Sequence, residues 1–459
     1  MTVTSAPPPA KTRRIPPRPP ISATPNLVRR MMRDRLEVMD WVVAEYGDAV
    51  RLPLGPKIMH VFNHPDHARY VLADNAANYR KGMGLVHARR VLGDGLLTSE
   101  GDLWRKQRKT IQPVFQARRL ARHLDTIVEE AEKLVAGLRT HVGQGPVDVR
   151  EEMTSLALGV LGRTLIDADL SEYDRIGPAI DAMQSQAVFE MMTLNSVPIW
   201  APLPRQRRFH QGRKDLQEIV DRLAAHRAAN PSEDGDDVIS RLIESFKDEP
   251  DKQVVSTRMR EELVTLLLAG HETTASTLSW ALYLTDQQPE IWERLHEEAV
   301  EAFGGGEPLT YQDLYKFKYT HMVLEETMRL FPPVWILPRI SLEEDEVGGY
   351  YVPAGADVLI CPYLLHRHPG FWDQPTKFDP ERFDPDKAGG RNRYAYIPFG
   401  AGPRFCVGNN LGMMEATIVL ATIARELRLK KVPGYKVRGE PMLALRIKDG
   451  LPMTIHSRG

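Results

Sequence analysis

The chain has 459 residues, with 60 lysines and arginines against 61 aspartates and glutamates, and only two cysteines. That length allows one large domain or two to three ordinary ones, and 42% hydrophobic with 26% charged residues excludes a wholly disordered or fibrous chain. Cys361 and Cys406 cannot by themselves build a disulfide framework or a four-thiolate zinc site. So few cysteines fit a reducing compartment, and a net charge of −1 argues against a nucleic-acid binder with a wholly basic surface.

The first 35 residues carry eight basic side chains and one acid, Asp34, and eight prolines precede Asn26. Residues 1–25 therefore read as a proline-rich basic arm, without the apolar run of a signal peptide. AVRLPLG and KIMHVFN read as paired strands around a turn at Gly55 and Pro56, with a helix through His67 to Ala73. Lys81 to Leu97 is glycine-punctuated and predicts a long surface loop. From about Asp102 to Ala302 helical periodicity dominates, as in MREELVTLLLAGHETTASTLSWALYL. Short strands follow from Ile340 to Cys361, then a proline-rich coil, a last helix from Val407 to about Leu427, and short strands after Lys430. The longest apolar runs fall short of the ~20 residues that span a bilayer, so a soluble, cytoplasmic protein is expected. The pattern predicts one mainly α domain over residues 26–459 with a minor β portion.

FGAGPRFCVGNNLGMMEATIVLATIARELRL is the most informative segment. Cys406 sits in a glycine-rich loop just before a helix, where the positive end of the macrodipole and nearby Arg404 favour a thiolate. A lone thiolate here can act as a nucleophile or as a metal ligand, and no histidine lies within ten residues to serve as a base. Phe399, Gly402, Arg404, Cys406 and Gly408 spell FxxGxRxCxG, and in this the chain resembles the cytochrome P-450 superfamily. HMVLEETMRLFPP, FDPERFDP, AGHETT and WRKQR match further motifs of that family, in the correct order from about Leu27 to the C-terminus.

The resemblance implies the family's haem-containing, mainly α fold, with haem b between the oxygen-activating helix and the helix after the cysteine loop. It implies Cys406 as the iron ligand, with Phe399 and Gly408 shaping its loop. A single axial thiolate suits haem iron and favours O–O cleavage. Trp104, Arg108, Arg339 and Arg404 are implied as propionate contacts. Ala269 and Gly270 would leave room over the haem, Thr273 would assist oxygen activation, and Glu272 would feed protons. A zinc-protease HExxH reading fails because Ala275 stands where the second histidine is required. Glu326, Arg329 and Arg382 are implied as a structural ion network behind the cysteine loop. The resemblance also places Leu85, Val86, Phe189, Met192, Leu268, Val334, Trp335, Ile336 and Leu443 around a hydrophobic substrate.

The expected activity is O2-dependent hydroxylation of a hydrophobic natural product such as a terpenoid or polyketide. Oxidative coupling, epoxidation or desaturation on the same haem is the alternative, and a haem-binding protein without turnover a second. No reductase segment or dinucleotide fingerprint is present, so electrons are expected from NAD(P)H through an external ferredoxin reductase and ferredoxin. The docking face is expected at Arg105, Lys106, Lys109, Arg391 and Arg393.

Overall fold

The computed structural model describes residues 13–54, 57–170, 175–231, 237–304, 307–387 and 389–458. Residues 1–12 of the expected arm lie outside them. Residues 13–17 lie along the domain surface: Arg51 donates its backbone N–H to Pro17 O at 2.8 Å and its Nε to Pro16 O at 2.9 Å, and Tyr351 N–H reaches Arg14 O at 2.8 Å. Arg13 pairs with Glu344 and Arg14 stacks on Tyr350.

Next come α1 (Thr24–Arg33) and α2 (Arg35–Tyr46), the latter N-capped by the Asp34 carboxylate accepting from Glu37 N–H. The expected strand pair forms as β1 (Ala49–Leu54) and β2 (Lys57–Phe62), antiparallel; its turn residues Gly55 and Pro56 lie outside the described residues. After α3 (Pro65–Arg69) and β3 (Tyr79–Lys81), the stretch expected as a loop holds α4 (Met83–Leu92). Its bounding glycines sit at the helix ends rather than breaking it. Gly93 closes α4 at φ +78°, and Gly82 lies so near a later strand that a Cβ would sit 2.4 Å from Arg339 N. Between them Gly84, Ala88, Val91 and Leu92 form one buried helical face.

Helices then dominate: α5 (Gly101–Ile111), α6 (Ala117–Leu120), α7 (Leu124–Arg139), and, after the short β4 (Val147–Asp148), α8 (Val149–Leu161), α9 (Ile176–Thr193), α10 (Pro204–Ala229) and α11 (Val238–Ser245). The long α12 (Lys252–Asp286), α13 (Pro289–Phe303) and α14 (Lys318–Leu330) complete the helical body. β5 (Leu337–Ser341), β6 (Asp345–Val347), β7 (Tyr350–Val352) and β8 (Asp357–Ile360) precede α15 (Pro362–Leu365) and α16 (Asn409–Glu426). The chain closes with β9 (Leu427–Lys431), β10 (Gly439–Pro441), β11 (Leu445–Ile447) and β12 (Pro452–Ser457).

The main sheet runs β1-β2-β8-β5-β3, antiparallel except for the parallel β2–β8 pair. β4, β12 and β9 form a second sheet. The core centres on α12 and α16, which are buried around most of their circumference over much of their length, as expected of central helices in a large domain. Ile418, Val419, Leu420, Ala421 and Ile423 are fully enclosed, and Trp280 of α12 stacks on Phe331 with centroids 3.7 Å apart. No helix among the described residues is long and apolar enough to cross a membrane.

Candidate active site

Cys406 is presented by a tight loop whose geometry depends on glycine. Gly402 has φ +69°, and a Cβ there would lie 1.9 Å from Leu72 O, so only glycine lets the loop reach this backbone. Cys406 N–H donates to Phe399 O at 3.0 Å, and the Phe399 and Phe405 rings lie 6.4 Å apart. A Cβ on Gly408 would sit 4.0 Å from Cys406 Sγ and 3.5 Å from the Phe115 ring. The sequence predicts a favoured thiolate. Although the sulfur borders an open space, the protein packed around it raises the thiol pKa, while the Gly408 and Asn409 amides and Arg108 pull it the other way. Coordination to a cation is what turns such a thiol into a thiolate.

α12 and α16 meet where Thr274 Oγ1 would lie 3.8 Å from a Cβ on Gly412. Beside that contact, Cys406 and Phe405 remain accessible, as do Ala269 and in part Gly270 and Thr273, although Leu266–Leu268, His271 and Glu272 around them are buried. Accessible residues in the middle of a core helix mark an internal space. The two small residues have different tasks. Ala269 is exposed to that space, whereas a Cβ on Gly270 would strike Leu161 Cδ1 at 2.0 Å, so Gly270 chiefly lets α8 approach.

The Thr273 hydroxyl donates to Ala269 O at 2.7 Å, the back-bonded geometry that loosens a helix locally. Glu272 accepts a hydrogen bond from Gln184 Nε2 of α9, and burial raises its carboxyl pKa to about 7. Gln184 shares its helix with exposed Asp181 three residues earlier, and the Asp181 charge acts on Glu272 as well. His271 is buried, bonded to Leu267 O, and held neutral by its burial.

A cationic cluster flanks the cysteine loop. Arg339 is 7% exposed, its side chain donates to Pro338 O at 2.9 Å, and burial beside Arg404 brings its pKa down to about 10. Arg404 pairs with Glu100, donates to Tyr79 O at 3.1 Å and lies 5.7 Å from the Trp104 ring, over which Arg108 also sits. Arg108 donates to Phe405 O at 2.9 Å. Lys81, which no local motif marks as a site residue, is buried and donates to Leu96 O and Ser99 O, with its pKa lowered to about 7 by burial. Lys81, Arg339 and Arg404 thus face Glu100 together, with buried Glu262 acting on Lys81 as well, so three cations meet two carboxylates and leave room for a further anion. The residues present therefore fit a haem: a sulfur donor, an internal space against Ala269, and unbalanced buried cations for two propionates.

Behind the loop the expected ion network forms. Arg329 Nε and Nη2 reach Glu326 at 2.6 and 2.8 Å, both side chains being fully buried, and Asp379 N–H donates to Glu326 at 2.8 Å. Arg329 also donates to the carbonyls of His366, Pro375 and Lys377 at 2.9, 2.7 and 2.9 Å. Arg382 Nε stands 3.5 Å from Glu326.

The expected substrate residues divide. Leu85, Phe189, Val334, Ile336 and Leu443 keep partial exposure. Trp335 does not: it packs in the core near the main sheet, its indole donating to Met442 O at 3.1 Å. Leu268 is likewise buried in the helical core. Met192 is 44% exposed, and its neighbour Met191 instead packs at Gly84 of α4. Val86 faces an arginine-lined groove beside α10. Of the basic docking residues, Arg105, Lys106, Lys109 and Arg393 are exposed. Arg391 is committed to packing, 4.3 Å over Trp372. Near Arg393 a surface cavity of about 770 Å³ runs to Phe405 and Asn409.

A family described as Cytochrome P450 matches residues 15–449. The chain is 36% identical over 403 residues to a Streptomyces melanosporofaciens protein named Cyclooctatin synthase, covering 87% of each. It is 33% identical over 391 residues to Cyclooctat-9-en-7-ol 5-monooxygenase of the same organism, covering 85% of this chain and 84% of that one. Cytochrome P450 4V2 of Pongo abelii is 32% identical over 461 residues, covering 93% and 87%.

Proposed function

The chain belongs to the cytochrome P450 family and is a haem-thiolate monooxygenase, and on that premise we propose that it hydroxylates a carbocyclic terpenoid hydrocarbon or alcohol. Two relatives named for cyclooctatin chemistry support that substrate class. The accessible Leu85, Val334, Ile336 and Leu443 offer a substrate apolar contacts. The observation that carries the reading is the accessible strip of Ala269 and Thr273 in the otherwise buried middle of α12, beside the Cys406 loop.

Cys406 would hold the haem iron, with Arg339, Arg404, Arg108, Trp104 and Lys81 around its propionates. When bound, the haem supplies reductive activation of O2 and insertion of one oxygen atom into a C–H bond. The protein's own part is proton handling and exclusion of water. Glu272 stores a proton at a carboxyl poised near neutrality, where a group can both give and regain it. Gln184 fixes the orientation of that carboxyl, and Asp181 links it to solvent. The Thr273 hydroxyl, anchored on Ala269 O, is a partly accessible polar group one turn from Ala269 on α12. Apolar side chains over the space exclude bulk water, so that protons arrive by this line alone.

NAD(P)H supplies the electrons through a ferredoxin reductase and an acidic ferredoxin, which docks on Arg105, Lys106, Lys109 and Arg393, and the protein works in the cytoplasm. The test is turnover of a panel of cyclic terpenes and terpene alcohols with those partners and NADPH. Products heavier by one oxygen, with a reduction rate that falls as salt rises, support the reading. Oxidation of linear fatty acids but of no cyclic terpenoid would overturn the substrate class, and salt-insensitive reduction would overturn the docking face.

A further inference from the structure

On the side of the molecule formed by α4, α10 and α12 lies a groove of about 400 Å³ with mainly polar walls. Arg89 and Arg90 come from α4, Arg213 from α10 and Arg260 from α12; the acids in its lining are Asp94 and Glu261. Both acids already have partners. Asp94 pairs with Arg89, while Glu261 accepts the Asp94 backbone N–H at 3.1 Å and is packed against Gly93.

The remaining arginines are under-compensated. Arg90 reaches buried Glu190 and Asn195 O only at 3.4 Å each. Arg260 donates to the neutral Gln217 Oε1 at 2.6 Å and stands 3.7 Å from Glu261. Among the described residues Arg213 has no hydrogen-bond or ion-pair partner; burial, and after it the Arg213 charge, lower the pKa of Arg260, while Glu261 and Asp221 offset this in part. Like charges converging from three separate helices on a polar recess are stabilised by an anion between them. Guanidinium forks suit the paired oxygens of phosphate better than a point charge does.

We propose that this groove is a binding site for a phosphate or diphosphate group, gripped by Arg90, Arg213 and Arg260. Its occupant ties α4 to α10 and α12. α4 also packs on α9, to which Arg90 is joined through Glu190, so anion binding steadies that helix pair. The same chemistry is presented by a soluble diphosphate and by an anionic lipid headgroup.

The haem-loaded full chain is titrated with inorganic pyrophosphate by calorimetry, beside Arg213→Glu and the milder Arg213→Gln, with Lys214→Ala as an exposed neighbouring control. Saturable one-to-one binding is expected for wild type and Lys214→Ala, at least tenfold weaker in Arg213→Gln and abolished in Arg213→Glu. Absence of saturable binding to wild type overturns the site, as does equal affinity in all variants or an equal loss in Lys214→Ala. Cosedimentation with phosphatidylglycerol vesicles separates the sources. Capture that pyrophosphate displaces and Arg213→Glu abolishes assigns the headgroup. Pyrophosphate binding without capture assigns a soluble ligand. Capture unaffected by Arg213→Glu, in a protein that does not bind pyrophosphate, contradicts the proposal. The calorimetric result is independent of the terpenoid reading, which can fail without it.

Discussion

Replacing Glu326 by glutamine tests the scaffold behind the cysteine loop. In the native protein one carboxylate accepts two N–H groups from Arg329 and one from Asp379, and faces Arg382 at 3.5 Å. Glutamine removes the negative charge and turns an NH2 toward those donors. The Arg329 guanidinium, with no solvent exposure, is left as a stranded buried cation, at ~3–5 kcal/mol for a broken buried pair. Its carbonyl bonds to His366, Pro375 and Lys377 hold it there, so it cannot escape to water. Against a typical total stability of ~5–15 kcal/mol, the variant should unfold at a much lower urea concentration. Because those carbonyls come from the segment leading to the cysteine loop, haem should also be lost earlier in the titration. The assay is a urea series followed by far-UV circular dichroism and Soret absorbance together. A variant within about 1 kcal/mol of wild type, a surface-like value, would refute the buried-pair reasoning.

Glu272→Gln should alter the pH dependence of stability. Burial raises the native carboxyl from 4.5 to about 7, so between those values the folded protein holds a proton that the unfolded chain has released. Stability from this group therefore falls by ~3 kcal/mol as pH rises through that window. The glutamine variant should lack the fall, and parallel wild-type and variant profiles in urea would contradict it. Thr273→Ala removes the hydroxyl bonded to Ala269 O and should divert reducing equivalents to peroxide. Hydroxylated product per NADPH consumed checks this, with undiminished coupling the contrary result. Arg339→Leu takes one cation from the buried cluster and one charge-assisted contact of ~1.5–3 kcal/mol. Haem transfer to a scavenger protein should then accelerate roughly tenfold or more, and an unchanged rate would remove Arg339 from the propionate set.

The sequence made legible whatever rests on contiguous motifs. The Cys406 loop, the Glu326–Arg329 pair and Thr273 occur where backbone shape and side-chain chemistry are encoded within a few residues. It was weaker where a side chain's direction depends on distant packing. The glycines at 82 and 93 suggested a loop, yet they bound α4, because Gly82 must pass the Arg339 backbone. Lys81 and Gln184 escaped notice because a lone lysine or glutamine has no local signature; only burial beside Glu100 or Glu272 gives each its role. Trp335 is expected beside a substrate, and its place in the core near the main sheet, with the indole donating to Met442 O, depends on packing that no local pattern encodes.

The central claim is that Cys406 sulfur is the axial ligand of a bound haem. The absorption spectrum of the reduced, carbon monoxide-treated protein tests it most directly, for wild type and Cys406→Ser side by side. Wild type should show the strongly red-shifted Soret band of thiolate ligation, and the serine variant should lose that shift. An unshifted band in freshly purified, haem-loaded wild type, or a red-shifted band that survives in Cys406→Ser, would contradict the account.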